Sequence, residues 1–308
     1  MSNVIPALRA CALALCAVSG LVAKDYYLFA YFIEPAKSGV YYAISNDGYR
    51  WTPLNDGKPV MAPQQAGELM RDIFITRGSD HQFHAVWTWG WREKAIGYAQ
   101  SPDLIHWSDH RQVPLMAEFP NTVHTWAPEI YWDDHKSEWL IIWSSLAKGE
   151  TRNRIYSSFT NDFVTFSRPA VFFDPGYDVI DATILRDGSH YYLIFKDQTK
   201  TPLMFKLRLA HGSTLEGPWK DISDTFTESW SEGPSALKIG HNYFVYYDHY
   251  RSIAGHEAVR YEAVRSSDLR NWLSINNEIS FPKGCKHGSF LKLTQKEAER
   301  LQHLGLDK

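Results

Sequence analysis

Three shortages narrow the 308-residue chain before any motif is read: few cysteines, no cationic run and, past residue 23, no long apolar run. Of its three cysteines, Cys11 and Cys16 fall in the first 23 residues, so Cys285 is left without an intrachain partner and a disulfide-built scaffold is excluded. Net charge is −3, with Lys and Arg scattered, so the long-range positive field that gathers nucleic acid is missing. No later apolar run approaches the roughly eighteen residues needed to span a bilayer, so no membrane span is expected in the mature chain. There is no G-x-S-x-G elbow, H-E-x-x-H helix or Walker loop, which removes the common serine hydrolase, zinc protease and nucleotide-binding readings. Charged residues make up only 22% of the chain, whereas aromatics reach 15%, with twelve Trp and seventeen Tyr; this is ample core material for a folded protein.

Residues 7–23 are apolar apart from Arg9 near their start, and end in small residues (Leu21-Val22-Ala23) before Lys24-Asp25. That pattern reads as a secretory signal over residues 1–23, and export to the periplasm or the cell exterior is expected. Residues 24–308 read as one domain, because no linker or break in composition divides them.

Two phrases recur along that domain. One places a short apolar strand after a polar or small residue: Met70-Arg71-Asp72-Ile73-Phe74, Trp126-Ala127-Pro128-Glu129-Ile130, Ile180-Asp181-Ala182-Thr183-Ile184, Ser231-Glu232-Gly233-Pro234-Ser235 and Lys286-His287-Gly288-Ser289-Phe290. With Asp72, Ala127, Asp181, Glu232 and His287 taken as equivalent, the steps are 55, 54, 51 and 55 residues. The other phrase is a strand, a polar turn and a closing aromatic, at Trp51, Trp107, Phe166, Trp219 and Trp272. Between them lie second apolar runs at 81–89, 138–144, 190–195 and 242–247. Four short strands per repeat of about 50 residues is the pattern of a β-propeller. An all-β, five-bladed propeller is therefore expected. The first repeat lacks an inner strand and the last consists of one only (287–293), so the two ends should pair in a single blade and remove the open sheet edges. Thr294-Gln295-Lys296-Glu297 reads as a capping box opening a short C-terminal helix.

Inner strands line the axis of a propeller, so Asp72, Asp181 and Glu232 should meet at one end of the channel, with His287 beside them. Crowding like charges costs energy and marks a functional site. Paired carboxylates suit glycoside hydrolysis, in which one protonates the departing oxygen and another activates water or attacks the sugar. Aromatic faces pack on sugar C–H groups, which makes Trp87, Trp89, Trp91, Trp126, Tyr131 and Tyr247 candidates either for substrate stacking or for the core. Glu129 and Lys196 complete the candidate substrate contacts.

Arg71-Asp72, Trp126-Ala127-Pro128-Glu129, Ile180-Asp181, Glu232-Gly233-Pro234 and His287-Gly288, in that order and spacing, resemble glycoside hydrolase family 43, and the resemblance spans essentially the whole mature chain. It implies an inverting enzyme acting on arabinose- and xylose-containing polysaccharides, with Asp72 as general base, Asp181 as modulator and Glu232 as general acid. It matches His287 to a histidine that orders water or a central calcium ion in many relatives. A Ca²⁺ near His287 is thus the one ion suggested, although no cofactor is expected to be required. Ile73 and Ala182 stand where a proline often follows the two aspartates, which leaves the subfamily open. An exo-acting, monomeric glycosidase on terminal α-L-arabinofuranosyl, β-xylosyl or β-galactofuranosyl residues is expected, with rim segments at 63–70, 148–153 and 252–257. A retaining fructan- or sucrose-cleaving enzyme and a non-catalytic glycan-binding propeller stay open as alternatives.

Overall fold

A computed structural model describes residues 24–251 and 260–305. The expected signal segment and the rim segment at 252–257 lie outside them. Nineteen strands form five sheets. The first sheet joins both ends of the domain: β19 (Cys285–Leu293) is innermost, followed by β1 (Tyr26–Ile33), β2 (Tyr41–Ser45) and β3 (Thr52–Pro53). The second runs outward through β4 (Arg71–Arg77), β5 (Phe83–Thr88), β6 (Ile96–Ser101) and β7 (Ser108–Val113). The third comprises β8 (Thr122–Asp133), β9 (Glu138–Ala147), β10 (Arg154–Thr160) and β11 (Ala170–Phe173). The fourth comprises β12 (Val179–Asp187), β13 (His190–Asp197) and β14 (Lys206–Gly212), and the fifth β15 (Ser231–Ile239), β16 (Asn242–His249), β17 (Arg260–Ser266) and β18 (Leu273–Ser274). The expected five-bladed propeller, closed by its two ends, is what forms. The fourth blade has three strands and only an isolated His211–Lys220 bridge in place of an outer one.

The recurring polar turn has a common mechanism in four blades. Ser45, Ser101, Thr160 and Ser266 hydroxyls bond the aspartate two residues on, and that aspartate accepts the next backbone N–H groups, as Asp268 does from Arg270 and Asn271 at 2.9 and 2.8 Å. Short side chains that bond their own backbone favour turns over strand continuation. The fourth blade uses Thr214 instead, whose hydroxyl donates to the Gly217 carbonyl at 2.5 Å. The closing aromatics pack into five apolar clusters that fill the seams between neighbouring blades.

Helix α1 (Gln295–Gln302) carries the expected capping box: Thr294 Oγ1 accepts the Glu297 N–H at 3.3 Å, and Glu297 Oε2 accepts the Thr294 N–H at 2.9 Å. Arg77 of β4 grips the same carboxylate with two N–H bonds, 2.5 and 2.8 Å. Burial opposes charge on Glu297, but Arg77 and the cap outweigh it and bring its carboxyl down to about 2. Glu297→Ala should lower unfolding free energy by about 1–2 kcal/mol at neutral pH, measured by urea titration. Because the folded pKa is depressed, the stability it supplies is present above the unfolded value of about 4.3 and is lost as pH falls towards 2. Among the described residues no helix is long and apolar enough to cross a membrane.

Candidate active site

Each inner strand breaks register with its neighbour at an equivalent bulge: between Arg71 and Phe74, Trp126 and Glu129, Ile180 and Thr183, Glu232 and Ser235, and opposite the step from Ala30 to Phe32 in β19; β8 has a second shift earlier, between Thr122 and His124. The first bulged residue is Asp72, Ala127, Asp181, Gly233 and His287 in turn. The first four have positive φ, at 51°, 46°, 53° and 57°. This corrects the equivalence read from sequence. Gly233, not Glu232, stands where Asp72 and Asp181 stand, and the last two steps become 52 and 54 residues. Only a glycine fits there, since a Cβ would lie 2.5 Å from the His287 ring. Glu232 enters from one position earlier, the place of Arg71, Trp126, Ile180 and Lys286.

The second strands show a matching order. In four of the five, an aromatic that turns into the blade core (Trp87, Trp143, Phe195, Tyr247) precedes a polar residue aligned with the bulge, Thr88, Ser144, Lys196 or Asp248; in the first blade Tyr31 precedes Phe32. Thr88 accepts the Ala127 N–H (2.8 Å), Ser144 the Asp181 N–H (2.9 Å) and Asp248 the His287 N–H (3.2 Å). A lysine has no acceptor. The Gly233 N–H therefore goes to Asp181 Oδ2 at 3.1 Å, and Lys196 is free to bond Glu232 Oε2 and the Tyr250 hydroxyl, both at 3.0 Å.

The three candidate acids meet in a pocket of about 260 Å³ with Arg71, Trp91, Trp126, Asp248, Tyr250 and His287. Asp72 accepts from Thr88 at 2.7 Å, and His287 Nδ1 lies 3.3 Å from its other oxygen. Burial opposes its charge, but the His287 hydrogen bond, the Arg71 and His287 charges and Thr88 together hold it well below the usual carboxylate range. His287 answers in kind: burial pulls its imidazole down, yet Asp72 drives it up to about 9. Asp181 is pushed up to about 6 by burial, with Glu232 and Asp72 adding to the shift and His287 and Lys196 opposing it. Trp91 lies over the Arg71 guanidinium at 4.0 Å, and Trp126 donates its indole N–H to the Trp91 carbonyl at 3.1 Å.

Other expected contacts are placed elsewhere. Trp89 is buried against Trp87 and His110, and Tyr247 fills the seam between the fourth and fifth blades. Glu129 is buried and does not line the pocket; Tyr131 donates its hydroxyl to it, and burial pushes its carboxyl up to about 8, with the nearby His287 charge opposing and Asp181 adding. Lys196 reaches the acid rather than the pocket wall. A larger groove, about 730 Å³, lies on the outer wall around His211 and Trp272. Its Asp268 is spent on turn N–H groups, and none of the acids near the axis borders it.

Calcium does not fit here. A hard cation takes six to eight oxygens. His287 instead offers a protonated ring directed at Asp72, with the Lys286 ammonium 3.5 Å from Asp248, and no cluster of three or more His, Cys, Asp or Glu disposed to hold a metal occurs among the described residues.

Residues 24–299 match the family model described as "Probable glycosyl hydrolase domain", a family related to glycoside hydrolase family 43. An α-L-arabinofuranosidase of Bifidobacterium longum is 26% identical over 184 residues, covering 50% of this chain and 17% of its own length; the chain thus spans about a sixth of that relative. The fold is shared with an exo-β-1,3-galactanase of Clostridium thermocellum (TM-score 0.59, 14% identity, 82% of this chain and 59% of that one). It is shared as well with a thermostable family-43 glycoside hydrolase (0.58, 15%, 71% and 78%) and an α-L-arabinofuranosidase of Lactobacillus brevis (0.57, 16%, 74% and 80%).

Proposed function

The chain belongs to the glycosyl hydrolase family related to family 43, and from that premise we propose that it is an exo-acting, inverting glycosidase that removes one terminal α-L-arabinofuranosyl residue at a time. Glu232 is the general acid, Asp72 the general base and Asp181 the modulator. The observation that carries this reading is one small pocket holding both acids on separated blades: Asp72 stands on β4 and Glu232 on β15, with β19 between them. That separation favours room for a water molecule beside the sugar, as inversion requires. About 260 Å³ suits a single sugar ring rather than a polymer lying across a cleft.

In the reaction Glu232 gives its proton to the glycosidic oxygen as the C1–O bond breaks. Water attacks C1 from the opposite face and passes its proton to Asp72. Asp72 stays ionised into acid solution because His287 and Arg71 hold its charge, and Asp181 sits on the blade beside the acid, fixed by the Gly233 N–H. Trp91 and Trp126 form the pocket's aromatic wall. Two α-L-arabinofuranosidases, one similar in sequence over part of its length and one similar in fold, support the choice of sugar. All these groups come from one chain, which supports a monomer.

The test is a panel of nitrophenyl glycosides (α-L-arabinofuranoside, β-xyloside, β-galactofuranoside, β-galactoside) together with a linear arabino-oligosaccharide. Turnover of the arabinofuranoside, with free arabinose as the sole first product from the oligosaccharide, is expected. Release of internal fragments would overturn exo action, and turnover of a different glycoside would reassign the sugar.

A further inference from the structure

Asp248 has no part in the reaction above, and its position is costly. It is the direct cross-strand partner of Glu232 in the β15–β16 register, so two carboxylates face each other where like charges destabilise a sheet. It is 1% exposed. Its Oδ2 accepts the His287 N–H at 3.2 Å and lies 3.5 Å from Lys286 Nζ, while its Oδ1 has no hydrogen-bond partner among the described residues. The same lysine lies 3.8 Å from Glu232 Oε1. In the other four blades this position holds Phe32, Thr88, Ser144 and Lys196, so the fold does not demand an acid there.

We infer that Asp248 is a second modulating carboxylate, a positioning residue that acts with Asp181 to keep a proton on Glu232, against the pull of Lys196 and Lys286. The inference rests on the hydrolase reading and adds to it a charge cage around the acid, with Asp181 on β12, Lys196 on β13, Asp248 on β16 and Lys286 on β19. Tyr250, Arg71 and His287 also face Glu232 or lie in its field, and Tyr261 and Cys285 lie near Asp248. Burial, with Glu232 adding and Lys286 and His287 opposing, pushes the Asp248 carboxyl up to about 6. A buried neighbour of like charge disfavours ionisation of its partner. Removing that charge therefore lets Glu232 give up its proton at lower pH, and removing a lysine does the reverse.

The experiment compares pH profiles of kcat/KM on arabinobiose, or on the disaccharide of whichever sugar the glycoside panel selects, for wild type, Asp248→Asn, Asp248→Glu and Lys286→Met. Asn keeps an acceptor for the His287 N–H, so the fold should survive, and thermal unfolding checks this. Asp248→Asn should move the alkaline limb to lower pH by about one unit and Lys286→Met should move it to higher pH, with Asp248→Glu returning most of the way to wild type. Limbs that stay in place, or a uniform loss at every pH in both variants, would reduce Asp248 to a structural acid and overturn the inference alone. A wild-type enzyme silent on every disaccharide would overturn the hydrolase reading and the inference with it. If the Asn variant does not fold, Asp248→Ser, which keeps a hydroxyl acceptor as Ser144 does in the corresponding place, decides by the same shift of the alkaline limb.

Discussion

Glu232→Ala should lower turnover of an unactivated disaccharide by about 10³-fold, within the range of general acid catalysis, and turnover of a nitrophenyl glycoside far less. The difference follows from the leaving group. A sugar alkoxide cannot depart without a proton, whereas a nitrophenolate can. The variant should still fold, because the Glu232 side chain is partly exposed and the Lys196 ammonium it releases keeps its bond to Tyr250. Steady-state rates on the two substrates, measured beside thermal unfolding, check this. Equal losses on both would remove Glu232 from the acid role.

Asp72→Asn should lower turnover by about 10³-fold on both kinds of substrate, because attack by water is needed whatever the leaving group. It also removes the charge that lifts the His287 imidazole. The pair contributes stability in a defined window. Asp72, with a depressed folded pKa, contributes above its unfolded value of about 3.9, and His287, with a raised one, contributes fully below its unfolded value of about 6.5 and loses that contribution as pH rises through about 9. Wild type should therefore lose unfolding free energy between about pH 6.5 and 9 that Asp72→Asn does not lose. Parallel urea titrations at those two limits would show it.

Much of this architecture is legible in the residues, and the reasons are local. The Ser/Thr-x-Asp turns at Ser45, Ser101, Thr160 and Ser266 bond their own backbone, so they mark strand ends without help from tertiary contacts. The capping box at Thr294 does the same for the helix. What misleads is the bulge. Asp72 and Asp181 occupy it, but in the fifth blade Gly233 does, and a glutamate one residue earlier mimics the spacing. Glu129, two residues past the bulge of its strand, is buried and does not line the pocket. Trp89 and Tyr247 look like sugar platforms because aromatic content alone does not say which face a residue takes. Asp248 lies on a second strand, outside the inner-strand repeat that marks the other acids. Setting Val86-Trp87-Thr88, Ile142-Trp143-Ser144, Ile194-Phe195-Lys196 and Tyr246-Tyr247-Asp248 in register places it beside Thr88 and Lys196, and explains Tyr247 as core. The sugar itself depends on the shape of the rim, which no residue pattern encodes.

The account stands on Asp72 activating water rather than attacking the sugar. Proton NMR of the first sugar released, recorded before mutarotation, tests this most directly. The account predicts the anomer opposite to that of the substrate. Release of the same anomer would mean a covalent glycosyl intermediate, and would contradict both the role given to Asp72 and the purpose given to its separation from Glu232.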